Sequence, residues 1–252
     1  MLTKILLTAV LSLFLSSSLY AGKINIAVAA NVSYAMSDLK KEFNKLYPNT
    51  KVRVTLGSSG KLTAQIKNGA PFELFMSANM KYPNALYKDH IAITKPIVYA
   101  KGSLAYLSAK KRDFSEGLNL IQDAKIRRIA IANPATAPYG KATKEALENA
   151  HIYTEVKNKF VYAESIAQTV SYTVTATDIG FIAKSSLYSP KMSKYKKDIH
   201  WREVDPKLYT PINQGIVLLK RAKKNPEAQA FYDFIQSAKA QKIFNDFGYT
   251  LP

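Results

Sequence analysis

Two periodicities alternate along the chain. Lys23-Ile24-Asn25-Ile26-Ala27-Val28-Ala29 reads as a buried strand, and Ala35, Leu39, Phe43 and Leu46 then recur at helical spacing until Pro48 stops the run. A second strand over Lys51 to Leu56 leads through Gly57-Ser58-Ser59-Gly60 into a helix that reaches Lys67 and ends at Asn68-Gly69. Phe72 to Met76 is a third strand, apolar almost throughout. Strands joined by helices in this order predict a parallel sheet.

The rhythm then breaks. Ile97-Val98-Tyr99-Ala100 and Leu104-Ala105-Tyr106-Leu107 are extended runs with no helix between them. A second alternating set follows: strand Arg128 to Ala132, helix Gly140 to Asn149, strand Phe160 to Tyr162, helix Glu164 to Val174 and strand Asp178 to Ile182. One more extended run covers Ile212 to Leu219. The chain closes with two helices, the first apolar at Phe231, Phe234 and Ile235, the second at Ile243, Phe244 and Phe247 before Gly248 as a C-cap. The predicted fold class is therefore α/β in two lobes, each a mostly parallel sheet flanked by helices. Residues 22–98 with 213–252 form lobe I, 99–212 form lobe II, and a ligand cleft lies between them. Two crossings allow the cleft to hinge.

The N-terminus has a different character. Met1-Leu2-Thr3-Lys4 precedes an apolar run from Ile5 to Leu15, then Ser16-Ser17-Ser18-Leu19-Tyr20-Ala21, the layout of a secretory signal cleaved after Ala21. The run is too short for a membrane span. The mature protein is expected to be exported and soluble.

Composition removes several kinds of chemistry. With no cysteine there is no disulfide scaffold, thiolate nucleophile or thiolate zinc site. His90, His151 and His200 are scattered and lie in no metal-ligand spacing. The 16 tyrosines include no pair at a convincing spacing from a histidine or carboxylate for ferric iron. The formal charge of +18 invites a polyanion, but the lysines are spread along the chain without a nucleic-acid motif, so a solvated basic surface is the reading and nucleic acid is not an expected partner.

Candidate chemistry lies in four loops where a strand enters a helix: Ala29 to Ser33, Gly57 to Gly60, Ala132 to Gly140 and Ala163 to Ile166. Ligands of open α/β sheets sit at such carboxyl ends, where helix N-termini offer free N–H groups and a positive dipole end. Taken singly each loop has a plainer reading, Ser33 or Ser58 as an N-cap and Pro134 or Pro138 as a turn former. Two loops from each lobe together describe an anion site built from neutral donors. Gly57-Ser58-Ser59-Gly60-Lys61 is too short for a P-loop and is not GxSxG. Glu164 is the only carboxylate within the four loops and suits the first turn of its helix better than general-acid work. No enzyme and no cofactor is expected.

At these loops the chain resembles the ModA family, the periplasmic molybdate-binding proteins of ABC transporters. The resemblance runs from Lys23 to Pro252. It rests on Val28-Ala29-Ala30-Asn31, Gly57-Ser58-Ser59-Gly60-Lys61-Leu62, Gln65 to Phe72, Ala132-Asn133-Pro134 with Ala137-Pro138-Tyr139-Gly140, Ile179-Gly180-Phe181 and Phe247-Gly248-Tyr249, in that order. It implies a type II periplasmic binding protein that captures molybdate, and tungstate too, for an inner-membrane ABC permease, as a monomer. Another small anion such as sulfate, phosphate or a small organic acid is the alternative ligand. Carried over by motif, the oxyanion-binding residues are Asn31, Ser59 through hydroxyl and N–H, and Tyr139 and Ile166 through N–H. Removal of the Ser59 hydroxyl is expected to weaken binding at little cost in stability. Two positions depart from the family pattern: Asn31 replaces a serine and could donate from backbone and side-chain amide, and Ala183 replaces a tyrosine.

Overall fold

The computed structural model describes residues 22–252, so the signal expected over residues 1–21 lies outside the described residues. The chain builds two five-stranded sheets. The first contains β1 (Lys23–Ala29), β2 (Lys51–Gly57), β3 (Leu74–Ser77), β4 (Ile97–Gly102) and β10 (Ile212–Leu218), in the order β2-β1-β3-β10-β4. The second contains β5 (Leu104–Leu107), β6 (Ile129–Ala132), β7 (Phe160–Ala163), β8 (Ile179–Ala183) and β9 (Trp201–Glu203), in the order β7-β6-β8-β5-β9. Each sheet is mixed. β1 pairs in parallel with β2 and β3, whereas β10 runs antiparallel to β3 and β4. The second sheet repeats the plan, with β6 parallel to β7 and β8, and β5 antiparallel to β8 and β9.

Eight α-helices accompany the sheets among the described residues: α1 (Met36–Leu46), α2 (Ser59–Lys67), α3 (Lys81–Lys88), α4 (Pro138–Asn149), α5 (Tyr153–Val156), α6 (Ile166–Thr175), α7 (Pro226–Ile235) and α8 (Ala238–Asp246). None is long and apolar enough to cross a membrane. β1 shows why its sheet is covered on both faces. Ile24, Ile26 and Val28 join Leu39, Phe43, Phe231 and Phe244 on one side, while Ala27 joins Leu62, Ile66 and Phe75 on the other. Phe43 and Phe231 are fully buried, each worth about 1.5–3 kcal/mol of transfer free energy. Leu46, expected on the inner face of α1, is the last residue of that helix and is exposed. The expected helix ends at Gly69 and Gly248 are present, both with positive φ (84° and 74°), which glycine adopts without a Cβ penalty.

Several sequence boundaries are corrected. β4 keeps its pairing with β10 as far as Gly102, so the first sheet extends four residues beyond the boundary expected at 98. Only Ser103 separates it from β5, so the first crossing is very short. Helix α4 starts at Pro138 rather than Gly140, because proline is well suited to a first helical position. Helix α6 starts at Ile166, not Glu164, because Ser165 is its N-cap. Helix α3 and strand β9 were not anticipated. The α3 segment buries only Pro83 and Leu86, and β9 is a three-residue edge strand with no fully buried residue.

The tyrosines give the fold an alkaline limit. Burial pushes the Tyr34 and Tyr106 phenols up to about 12, and holds those of Tyr99 and Tyr139 well above the ordinary value. A raised phenol favours the protonated native state. Its contribution is complete below pH ~10 and is lost as pH rises toward the folded-state value, by about 1.4 kcal/mol per pH unit for each such group. Thermal melts should be level in this respect up to pH ~10 and fall steeply between pH ~10 and ~12. A melting temperature unchanged at pH ~11.5 would contradict this account.

Candidate functional site

Three helices and one 3-10 turn point their N-terminal ends at a single cavity between the lobes. From lobe I come the 3-10 turn Ala30–Tyr34, directly after β1, and α2 after β2. From lobe II come α4 after β6 and α6 after β7. The first N–H groups of a helix have no intrahelical partner and are commonly taken by a capping side chain. At this cavity the 3-10 turn, α2 and α4 have no side-chain cap. Only Ser165 caps, accepting from Gln168 N two residues beyond Ile166. Ser58, which could have capped α2, sends its hydroxyl across the cleft toward Glu164 Oε1 at 3.4 Å. Several backbone donors are thereby left for something other than the protein.

The structure brings Asn31, Ser59, Tyr139 and Ile166 to this one cavity. All four are buried, at 0%, 1%, 1% and 5% exposure respectively. Ala29, Ala30, Gly57, Ser58, Ala78, Ala137 and Pro138 complete the lining, and none of the lining residues carries a formal charge. The two corrected helix starts matter here, because they put Tyr139 and Ile166 in first turns, where the N–H groups are free. The Ser59 hydroxyl accepts a 2.9 Å bond from Ala78 N, which leaves its own hydrogen available to donate. That contact argues against the expected small cost in stability, since the hydroxyl is the acceptor for Ala78 N.

Asn31 is held from several directions. Its Nδ2 donates to Gln214 Oε1 and to Tyr249 Oη, both at 2.9 Å. Tyr249 spends its one hydrogen on the Asn31 carbonyl at 2.9 Å, so toward Nδ2 it can only accept. Both Nδ2 hydrogens are therefore engaged, which leaves the backbone N–H, not the side-chain amide, as the donor that Asn31 can offer a ligand. Ala183, where the family pattern has tyrosine, ends β8 and does not line the cavity. Nearby hydroxyls come instead from Tyr249 and from Ser185, whose Oγ donates to the Asn31 carbonyl at 3.1 Å. Tyr249 was legible only as part of a motif, and Gln214 and Ser185 carried no sequence signal at all.

The two lobes touch around the cavity. Gly60 N donates to Thr136 O at 2.9 Å, and the Tyr82 hydroxyl reaches the same carbonyl at 3.4 Å. Lys61 Nζ lies 3.6 Å from Glu164 Oε1, both half-exposed, a pair that contributes little to stability in water. Glu164 thus precedes its helix and serves the cleft rim, instead of sitting in the first helical turn as the sequence suggested.

Residues 24–250 match the family described as bacterial extracellular solute-binding protein. The chain is 34% identical over 239 residues to the molybdate-binding protein ModA of Azotobacter vinelandii, covering 94% of this chain and 93% of that one. It is 32% identical to ModA of Rhodobacter capsulatus, covering 91% and 88%. Among solved structures, the periplasmic molybdate-binding protein of Azotobacter vinelandii superposes with a TM-score of 0.84 at 30% identity, over 91% of this chain and 99% of that chain. By this match, and by a two-lobed fold with its donor-lined cavity at the lobe junction, the chain belongs to the bacterial extracellular solute-binding protein family.

Proposed function

We propose that this protein is a periplasmic receptor that captures molybdate between its lobes and delivers it to an inner-membrane ABC permease, without turning it over. One observation carries the reading: free backbone N–H groups and the Ser59 hydroxyl converge from both lobes on a buried cavity with no charged lining residue. The names of the 34% and 32% identical relatives support the same ligand. Under this reading Asn31, Tyr139 and Ile166 donate from the backbone, and Ser59 from backbone and hydroxyl.

The chemistry suits a fully deprotonated tetrahedral dianion, whose oxygens only accept. Hydrogen bonds to a charged acceptor are the strong kind, so neutral donors suffice without a counter-ion. A protonated oxyanion would turn an O–H toward N–H groups, and each unpaired buried donor costs about 1–3 kcal/mol. Tungstate, nearly the same size, should bind as well. Sulfate is a smaller tetrahedron that cannot reach donors on both lobes at once. Residues 1–21 then act as the export signal, and the receptor works as a monomer.

A thermal-shift titration of ligand-stripped protein against molybdate, tungstate, sulfate and phosphate tests the proposal. Ligand at about 1,000 times its dissociation constant stabilises the native state by about 4 kcal/mol, a shift on the order of 10 °C at this chain length. Such a shift is expected with molybdate and tungstate alone. A larger shift with sulfate or phosphate would replace molybdate as the ligand.

A further inference from the structure

Gln214 has no place in the lining of the cavity, yet it sits where both halves of the site meet the hinge. It belongs to β10, the strand by which the chain returns from the second sheet to the first, and it is 0% exposed. A wholly buried carboxamide is costly unless its polar atoms are matched. Here they are matched on purpose. The register against β4 slips between Gln214 and Gly215, which face Ala100 and Val98 respectively, so Tyr99 is left unopposed. A bulge of this kind re-aims a side chain. Gln214 Oε1 accepts from Asn31 Nδ2 at 2.9 Å, and Nε2 donates to Ile212 O on its own crossing at 3.3 Å. That second bond orients the carboxamide so that oxygen, not nitrogen, faces Asn31.

The other crossing closes the arrangement. A Cβ on Gly102 would collide with Tyr139 Oη and would stand 2.8 Å from Gln214 Nε2. Gly102 therefore makes room for one side chain from α4 and one from β10 at the same point. Gln214 is bonded to the lobe I residue Asn31 and abuts the lobe II residue Tyr139, and both crossings run beside it.

We infer that Gln214 is a positioning residue: it fixes the Asn31 carboxamide, and through it the donor turn after β1, in register with Tyr139 when the lobes are together. The inference rests on the reading above, in which Asn31 and Tyr139 offer backbone N–H groups to the oxyanion. Gln214→Met keeps the length of the side chain and removes both polar atoms. It is expected to weaken molybdate binding roughly tenfold, chiefly through faster release, because the lobes still meet but the donor turn is loosely held.

A double-mutant cycle with Asn31→Ala separates positioning from general destabilisation, with dissociation constant and release rate read by titration and stopped flow. The double variant should bind like Asn31→Ala alone, since Gln214 acts through Asn31. Gly102→Ala, which crowds the same point from the other crossing, should also speed release and serves if Gln214→Met does not fold. Wild-type release from Gln214→Met or Gly102→Ala, or losses that multiply in the double variant, would overturn the inference. Ser59→Ala is measured alongside. If it too binds at wild-type strength, the oxyanion site itself falls, whereas loss in Ser59→Ala with none in Gln214→Met refutes the coupling alone.

Discussion

Ser59→Ala should lower molybdate affinity roughly 10- to 150-fold, because a hydrogen bond to a charged acceptor is worth about 1.5–3 kcal/mol. The same substitution should destabilise the ligand-free protein by about 1–3 kcal/mol. The second effect comes from the partner left behind: Ala78 N, in a buried residue at the start of the segment after β3, donates to Ser59 Oγ at 2.9 Å and loses that acceptor. Isothermal titration and ligand-free denaturant melts read the two losses independently. Affinity at the wild-type level would move the site elsewhere, and an unchanged melt would mean that Ala78 N finds another acceptor.

Gly60→Val should act on closure and leave folding intact. Gly60 is the second residue of α2 and has ordinary helical backbone, so within lobe I the close approach for a side chain there is to the movable tip of Tyr82. A Cβ at this position would stand 2.7 Å from Tyr82 Oη in its own lobe and, with the lobes together, 2.9 Å from Thr136 O and 3.0 Å from Thr136 Cα of the opposite lobe. The tyrosine tip can swing away, but the Thr136 backbone cannot do so without displacing the loop that leads into α4. Overpacking of this kind costs about 1–3 kcal/mol, which here is charged entirely to the closed state and so appears as roughly 5- to 150-fold weaker binding. Ligand-free stability should hold or rise slightly, since glycine is a poor helix former. Affinity and stability therefore move in opposite directions, unlike the outcome at Ser59. Small-angle scattering should show the variant remaining extended in saturating molybdate. Full compaction with undiminished affinity would mean that the contact between Gly60 and Thr136 is not part of the bound state.

Much of this architecture could be read from local pattern because it is locally encoded. The run Lys23 to Ala29 is a strand since alternate residues face two different cores, and α1 follows because Leu39 and Phe43 recur at the period that reaches the same core. The four loops could be located because a strand that ends and a helix that begins leave unpaired donors at predictable places. Helix α3 escaped because its burial rests on two residues, one of them a proline. The precise starts of α4 and α6 escaped because Pro138 and Ser165 tip the boundary by two residues, within the range over which propensity decides little.

The order of elements, the four donor loops and the absence of cysteine chemistry are thus properties of the sequence itself, since each depends on neighbours a few residues apart. What only the tertiary structure decided depends on partners far apart in the chain. Whether the Asn31 side-chain amide is free or engaged is settled by Gln214, 183 positions away, and Tyr249, 218 positions away. Which partners Glu164 meets at the cleft rim is settled by Ser58 and Lys61 in the other lobe. Hydrogen bonds select by distance and angle, and no local spacing specifies which distant hydroxyl or amide will arrive at that distance once two sheets have packed and closed.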